Sequence, residues 1–149
     1  MDWVTDLCEI RRRNPGLTNV YAELGATFGQ LVITAPMLCG HVLGQLIEAF
    51  GADHVLWGTD SIWWGSPQWQ IEAFRRFAMP EPLVRFGYAP LTPDVKAQIL
   101  GRNAARLYGI DPNAVRHPVP QDFISRLRAA YREEGANPSL TQYGWVLEG

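Results

Sequence analysis

The stretch His54-Val55-Leu56-Trp57-Gly58-Thr59-Asp60-Ser61-Ile62-Trp63-Trp64 decides the fold. Its first part, His54 to Trp57, is a short apolar run that reads as a buried strand. The run ends abruptly in Gly58-Thr59-Asp60, and a loop carrying two tryptophans follows. In parallel α/β folds, ligands bind beyond the carboxyl ends of the strands. Gly58 permits close backbone approach or an unusual dihedral angle there, and Thr59 can hydrogen-bond a neighbouring carboxylate. An aspartate at a strand end is short and rigidly mounted, which suits a metal ligand or a proton acceptor. Taken alone, the same three residues also read as an aspartate capping the next turn, and that reading is the commoner one.

Upstream of the strand, Pro36 opens a helix in which Cys39, Leu43, Leu46, Ile47 and Phe50 recur at helical spacing. Gly51 stops it. Before it, the stretch 18–26 alternates, with Val20, Ala22 and Leu24 facing one way and Tyr21 and Glu23 the other, which predicts a strand. Strand, helix and strand within some forty residues make a βαβ unit, whose strands run parallel. Two strands are too few for an independent sheet, so the pattern implies part of something larger. The amino-terminal stretch 3–13 predicts a helix with Trp3, Leu7 and Ile10 on its apolar face. Ser66-Pro67 and Thr92-Pro93-Asp94 each predict a helix start, a cap followed by proline in the first turn. The proline-rich stretch 79–90 between them reads as a loop. Residues 103–109 predict a short helix closed by Gly109, and Phe123, Ile124, Leu127 and Tyr131 line one side of a last amphipathic helix. The remainder, 135–149, reads as a loose tail.

Composition bounds the function. The 149 residues are 47% apolar and 19% charged, in the range of one soluble globular domain. A net charge of -2 supplies no field to recruit nucleic acid or acidic lipid, and Arg11-Arg12-Arg13 reads as a solvated helix end. Neither a signal peptide nor a membrane span is legible. Cys8 and Cys39 form no disulfide framework or zinc pattern; reduced thiols in the cytoplasm are the expectation. No nucleophile elbow and no phosphate-binding loop occurs.

Three segments together resemble the amidohydrolase-related (amidohydrolase 2) family of metal-dependent hydrolases and decarboxylases. Residues 19–25 (NVYAELG) look like the penultimate strand of its barrel. Residues 46–60 (LIEAFGADHVLWGTD) look like the helix and final strand, which in that family ends in Gly-Thr-Asp. Residues 99–110 (ILGRNAARLYGI) look like its short closing helix. The resemblance, over roughly 17–110, implies an α/β fold: the last two strands and helices of a (β/α)8 TIM barrel over residues 1–110, followed by a helical extension and tail over 111–149. It implies hydrolysis of a C–N or C–O bond, or decarboxylation of an aromatic acid, through metal-activated water. It also implies a role for Asp60, which would contact a divalent metal, zinc by expectation, and carry a proton. Trp63 and Trp64 would then lie at the barrel mouth, where they read first as packing the loop onto the rim and second as lining a small-molecule substrate pocket.

Departures from the family pattern limit these implications. The family needs a His-x-His pair on its first strand and further histidines on middle strands. This sequence has only His41, His54 and His117, none at a ligand position, and all three read as structural or surface residues. His41 lies mid-helix, His54 opens the final strand, and His117 falls in a late loop. A TIM barrel takes about 250 residues, so Met1 reads as an internal methionine of a longer protein or the start of a truncated frame. Catalytic zinc normally has about three protein ligands, so the chain alone is expected neither to bind metal tightly nor to turn over substrate. The competing readings are a non-catalytic remnant acting as an assembly module, and a truncation without function whose strand edge aggregates. A homo-oligomer stays open. Glu23 reads first as a salt-bridge partner and second as a group directed into a barrel interior.

Overall fold

The structure, a computed structural model, describes residues 2–114 and 121–135. Two compact units divide the chain, Met1–Ile110 and Asp111–Gly149.

The first unit is built on one βαβ crossover. β1 (Ala22–Glu23) and β2 (Val55–Leu56) pair in parallel, with Ala22 opposite Val55 and Glu23 opposite Leu56. The ladder continues past β1, where the Leu24 amide donates to the Leu56 carbonyl at 3.1 Å. Both strands are shorter than their sequence patterns predict. At β1, the chain turns into a helix, α2 (Gly25–Thr34), as soon as the pairing ends. At β2, His54 does not open the strand: it closes a 3-10 turn over Ala52–His54. The alternation itself holds, since Ala22 and Leu24 are buried and Glu23 is exposed.

The crossover helix α3 (Pro36–Phe50) starts on its proline and stops at Gly51, whose φ of 87° takes the chain out of helical geometry. Cys39, Val42, Leu43, Leu46 and Phe50 form its buried stripe. Against it packs α1 (Asp2–Arg13), and here the predicted face holds only at Leu7, which packs against the core. Val4 and Cys8, one turn apart, are the buried pair, whereas Trp3 and Ile10 are exposed. The i and i+4 residues that touch α3 set the rotation of α1, and the bulkier side chains are left outside.

Beyond β2 come α4 (Ser61–Trp64) and α5 (Gln68–Arg76). The tryptophan loop is therefore a single helical turn, and α5 begins just after Ser66-Pro67, with the Ser66 hydroxyl accepting from the Gln68 amide at 3.3 Å. The proline-rich loop is also corrected: residues Glu81–Phe86 form α6, with proline in the first turn, where its missing N–H costs nothing. Thr92 caps α7 (Pro93–Ala97) through its hydroxyl, which accepts from the Val95 amide at 3.2 Å. A π-helical turn, Gln98–Arg102, joins α7 to α8 (Asn103–Tyr108), which Gly109 closes.

The core gathers Phe28 from α2, Leu43 from α3, Val55 from β2, Phe74 from α5 and Ile99 from the π turn, all almost completely buried. Phe28 meets Phe74 edge to face with centroids 5.2 Å apart, and Trp57 lies 4.9 Å from Phe74. Through Trp57 the cluster reaches the residue that precedes Gly58. Asn103, fully buried, locks α8 onto the strand. Its side-chain amide donates to the Ala52 carbonyl at 2.7 Å and to the Val55 carbonyl at 2.8 Å. Beside it the Arg106 guanidinium donates to the Asp53 carbonyl at 2.7 Å.

In the second unit, α9 (Phe123–Glu133) is capped by Asp122, whose carboxylate accepts from the Ser125 amide at 2.7 Å. Among the described residues no helix is long and apolar enough to cross a membrane.

Candidate functional site

The two strands run parallel, so their carboxyl ends open on the same side, and each delivers a carboxylate there. β1 ends at Glu23. β2 leads through Trp57, Gly58 and Thr59 to Asp60. Asp60 has φ 47° and ψ 39°, and among the described residues it alone combines a side chain with positive φ. A left-handed aspartate costs about 1–2 kcal/mol and persists where its surroundings hold it.

Three tethers hold it. The Ala26 amide, in the first turn of α2, donates to Asp60 Oδ2 at 2.9 Å. The Asp60 carbonyl accepts from the Trp63 amide at 3.1 Å, closing the turn of α4. The preceding carbonyl, of Thr59, accepts from Gln70 Nε2 at 2.9 Å. Negative charge is favoured where the free amides of a helix N-terminus gather, and α2 offers two of its amides to carboxylates. The second is Gly25, which donates to Glu23 Oε1 at 3.0 Å.

The two carboxylates converge on Gly25. A side chain there would bring its Cβ within 3.1 Å of both Asp60 Oδ2 and Glu23 Oε2. Gly58 makes the room for Glu23, since a Cβ on Gly58 would overlap Glu23 Oε1. Glu23 thus accepts from a backbone amide, and among the described ion pairs it has no cationic partner, contrary to the salt-bridge reading. Oδ2 of Asp60 is committed to α2, and Oδ1 has no hydrogen-bond partner among the described residues.

The donor set does not fit a catalytic zinc by itself. Among the described residues no three His, Cys, Asp or Glu side chains converge on a metal-sized site. Both described histidines are occupied elsewhere. His41 bridges Tyr88 Oη, 2.9 Å from its Nδ1, and Gln45 Nε2, 2.7 Å from its Nε2. His54 bonds the Thr18 carbonyl through Nε2 at 3.1 Å and stacks on Tyr21. His117 lies outside the described residues. Trp63 projects from α4 with 79% of its surface exposed. The Trp64 side chain lies outside what is described.

Gln70 escapes a pattern search, although the signal is present: it stands one turn before Phe74, on the buried stripe of α5, where a leucine is the expected residue.

Fold and site together define an α/β protein with an acidic pair at the carboxyl ends of parallel strands. The amidohydrolase family model matches residues 5–110. The chain therefore belongs to the amidohydrolase family. No curated protein and no solved structure matches it.

Proposed function

We propose that this chain contributes the closing segment of a (β/α)8 barrel and, with it, the acidic member of an amidohydrolase-type centre. The observation that carries the reading is Asp60 itself. It is a strained, left-handed carboxylate beyond the carboxyl end of a parallel strand, pinned through Oδ2 by the first turn of α2. Pinning one oxygen leaves Oδ1 as the atom that takes up and returns a proton. The reaction is hydrolysis of a C–N or C–O bond, or decarboxylation of an aromatic acid, on a small-molecule substrate. Trp63 and Trp64, from α4, form part of the mouth. A divalent metal, zinc in character, belongs to the assembled centre, and its histidine ligands come from strands that this sequence does not contain. Two buried free thiols, Cys8 and Cys39, fit a reducing cytoplasmic setting.

Co-expression with a polypeptide that supplies the other six βα units of an amidohydrolase barrel, including its His-x-His pair, tests the proposal. The expected product is a complex holding stoichiometric zinc and hydrolytic or decarboxylase activity, with activity lost in Asp60→Asn. A complex whose activity is indifferent to Asp60→Asn refutes it.

A further inference from the structure

We infer that Gln70 is a positioning residue for Asp60: its buried carboxamide holds the Thr59 carbonyl and so fixes the backbone that presents the carboxylate. The inference rests on the reading of Asp60 as the working carboxylate of this site.

Gln70 is completely buried on α5. Its Nε2 donates to the Thr59 carbonyl at 2.9 Å, and its Oε1 is buried without a hydrogen-bond partner. For packing alone this is a poor choice of residue. A leucine fills the space beside Phe74 without stranding an acceptor, and an unpaired buried acceptor is destabilising. The half of the amide that is used therefore identifies what Gln70 is for, and among the described residues that half reaches the peptide before Asp60.

The opposite wall supports the same conclusion. The carboxamide lies flat against α2 at Gly29, where a Cβ would come 3.0 Å from Oε1 and 3.1 Å from Cδ. A glycine in the middle of a helix is unfavourable, and here its absent side chain leaves the space the amide occupies. Gln70 and Ala26 then act as two jaws. Ala26 holds the carboxylate of Asp60, and Gln70 holds the peptide on its amino-terminal side. With both ends fixed, the left-handed dihedral between them has no freedom to relax.

NMR on the full chain tests this without any assumption about catalysis. In Gln70→Leu, Asp60 is expected to lose its strong intraresidue amide–Hα NOE, the mark of positive φ. The Ala26 amide is expected to exchange about tenfold faster, while α3 core amides stay protected. The control is Phe74→Leu, one turn along α5, which loosens the core but keeps both partners of the Gln70–Thr59 bond, and is expected to leave both Asp60 signals intact. Should Gln70→Leu not fold, Gly29→Ala crowds the carboxamide from the other side and is expected to give the same local change. Wild-type Asp60 signals in whichever of these two variants folds overturn the inference, as does loss of them in Phe74→Leu. Failure of the catalytic reading shows elsewhere, in an Asp60→Asn complex that stays active.

Discussion

Replacing Asn103 by leucine is the sharpest test of how the strand carrying the site is held. The side-chain amide of Asn103 makes two bonds, 2.7 Å to the Ala52 carbonyl and 2.8 Å to the Val55 carbonyl. It thereby joins α8 to the 3-10 turn and to the first residue of β2. Leucine is close in shape and opens little cavity, so the loss is polar. Two hydrogen bonds at roughly 1 kcal/mol each, plus desolvated carbonyls left unpaired, sum to about 2–4 kcal/mol. For a unit of this size each kcal/mol moves the melting temperature by about 4 °C, so the expected fall is about 8–16 °C. Urea unfolding is expected to show a lower midpoint at unchanged slope, because the surface exposed on unfolding is the same. Arg106→Ala is the internal comparison. Its guanidinium also donates to a carbonyl of this turn, Asp53, but at an exposed position, and it is expected to cost under about 1 kcal/mol. A melting temperature for Asn103→Leu no lower than that of Arg106→Ala refutes the clamp.

At Asp60, glycine relieves the left-handed strain and alanine keeps it, so Asp60→Gly is expected to be more stable than Asp60→Ala by about 1 kcal/mol. Urea midpoints decide this, and equal midpoints mean that the positive φ is not retained in solution. Burial pushes the Cys39 thiol up to about 12, whereas in the unfolded chain it ionises near about 8.5. The folded pKa is raised, so this contribution is intact below the unfolded value and is lost as pH climbs towards the folded one. Stability of the native chain is expected to fall more steeply than that of Cys39→Ala above about pH 8.5. Parallel pH profiles of the two in equilibrium unfolding contradict it.

Legibility in the sequence followed the strength of local signals. The crossover helix α3 was readable end to end because Pro36, the apolar stripe and Gly51 agree. The cap at Thr92 and the closure at Gly109 were equally plain. By contrast, α2 was hidden. Its sequence, GATFGQLVIT, carries two glycines and several β-branched residues, a weak helix former on its own terms. Packing of Phe28 and Leu31 into the core, and of Gly29 against Gln70, overrides that propensity. The rotation of α1 is hidden for a related reason: Val4 and Cys8 are smaller than Trp3 and Ile10, and fit against α3 rather than bulk selects the buried face.

At the site, Asp60 and its place at the strand end were visible in Gly58-Thr59-Asp60. Its left-handed backbone was not, because no sequence rule distinguishes an aspartate in that conformation from one capping a turn. Nor was the convergence of Glu23 on the same helix end, which depends on the one-for-one register between β1 and β2 and on the space beside Gly58.

Metal content measures the central claim most directly. The claim is that these residues furnish one well-held carboxylate of a metal-dependent centre and not the centre itself. The chain is stripped with chelator and titrated with zinc by calorimetry, alongside Asp60→Asn. The account predicts no stoichiometric tight binding and no difference between the two proteins. One tightly bound zinc per chain, lost in Asp60→Asn, contradicts it.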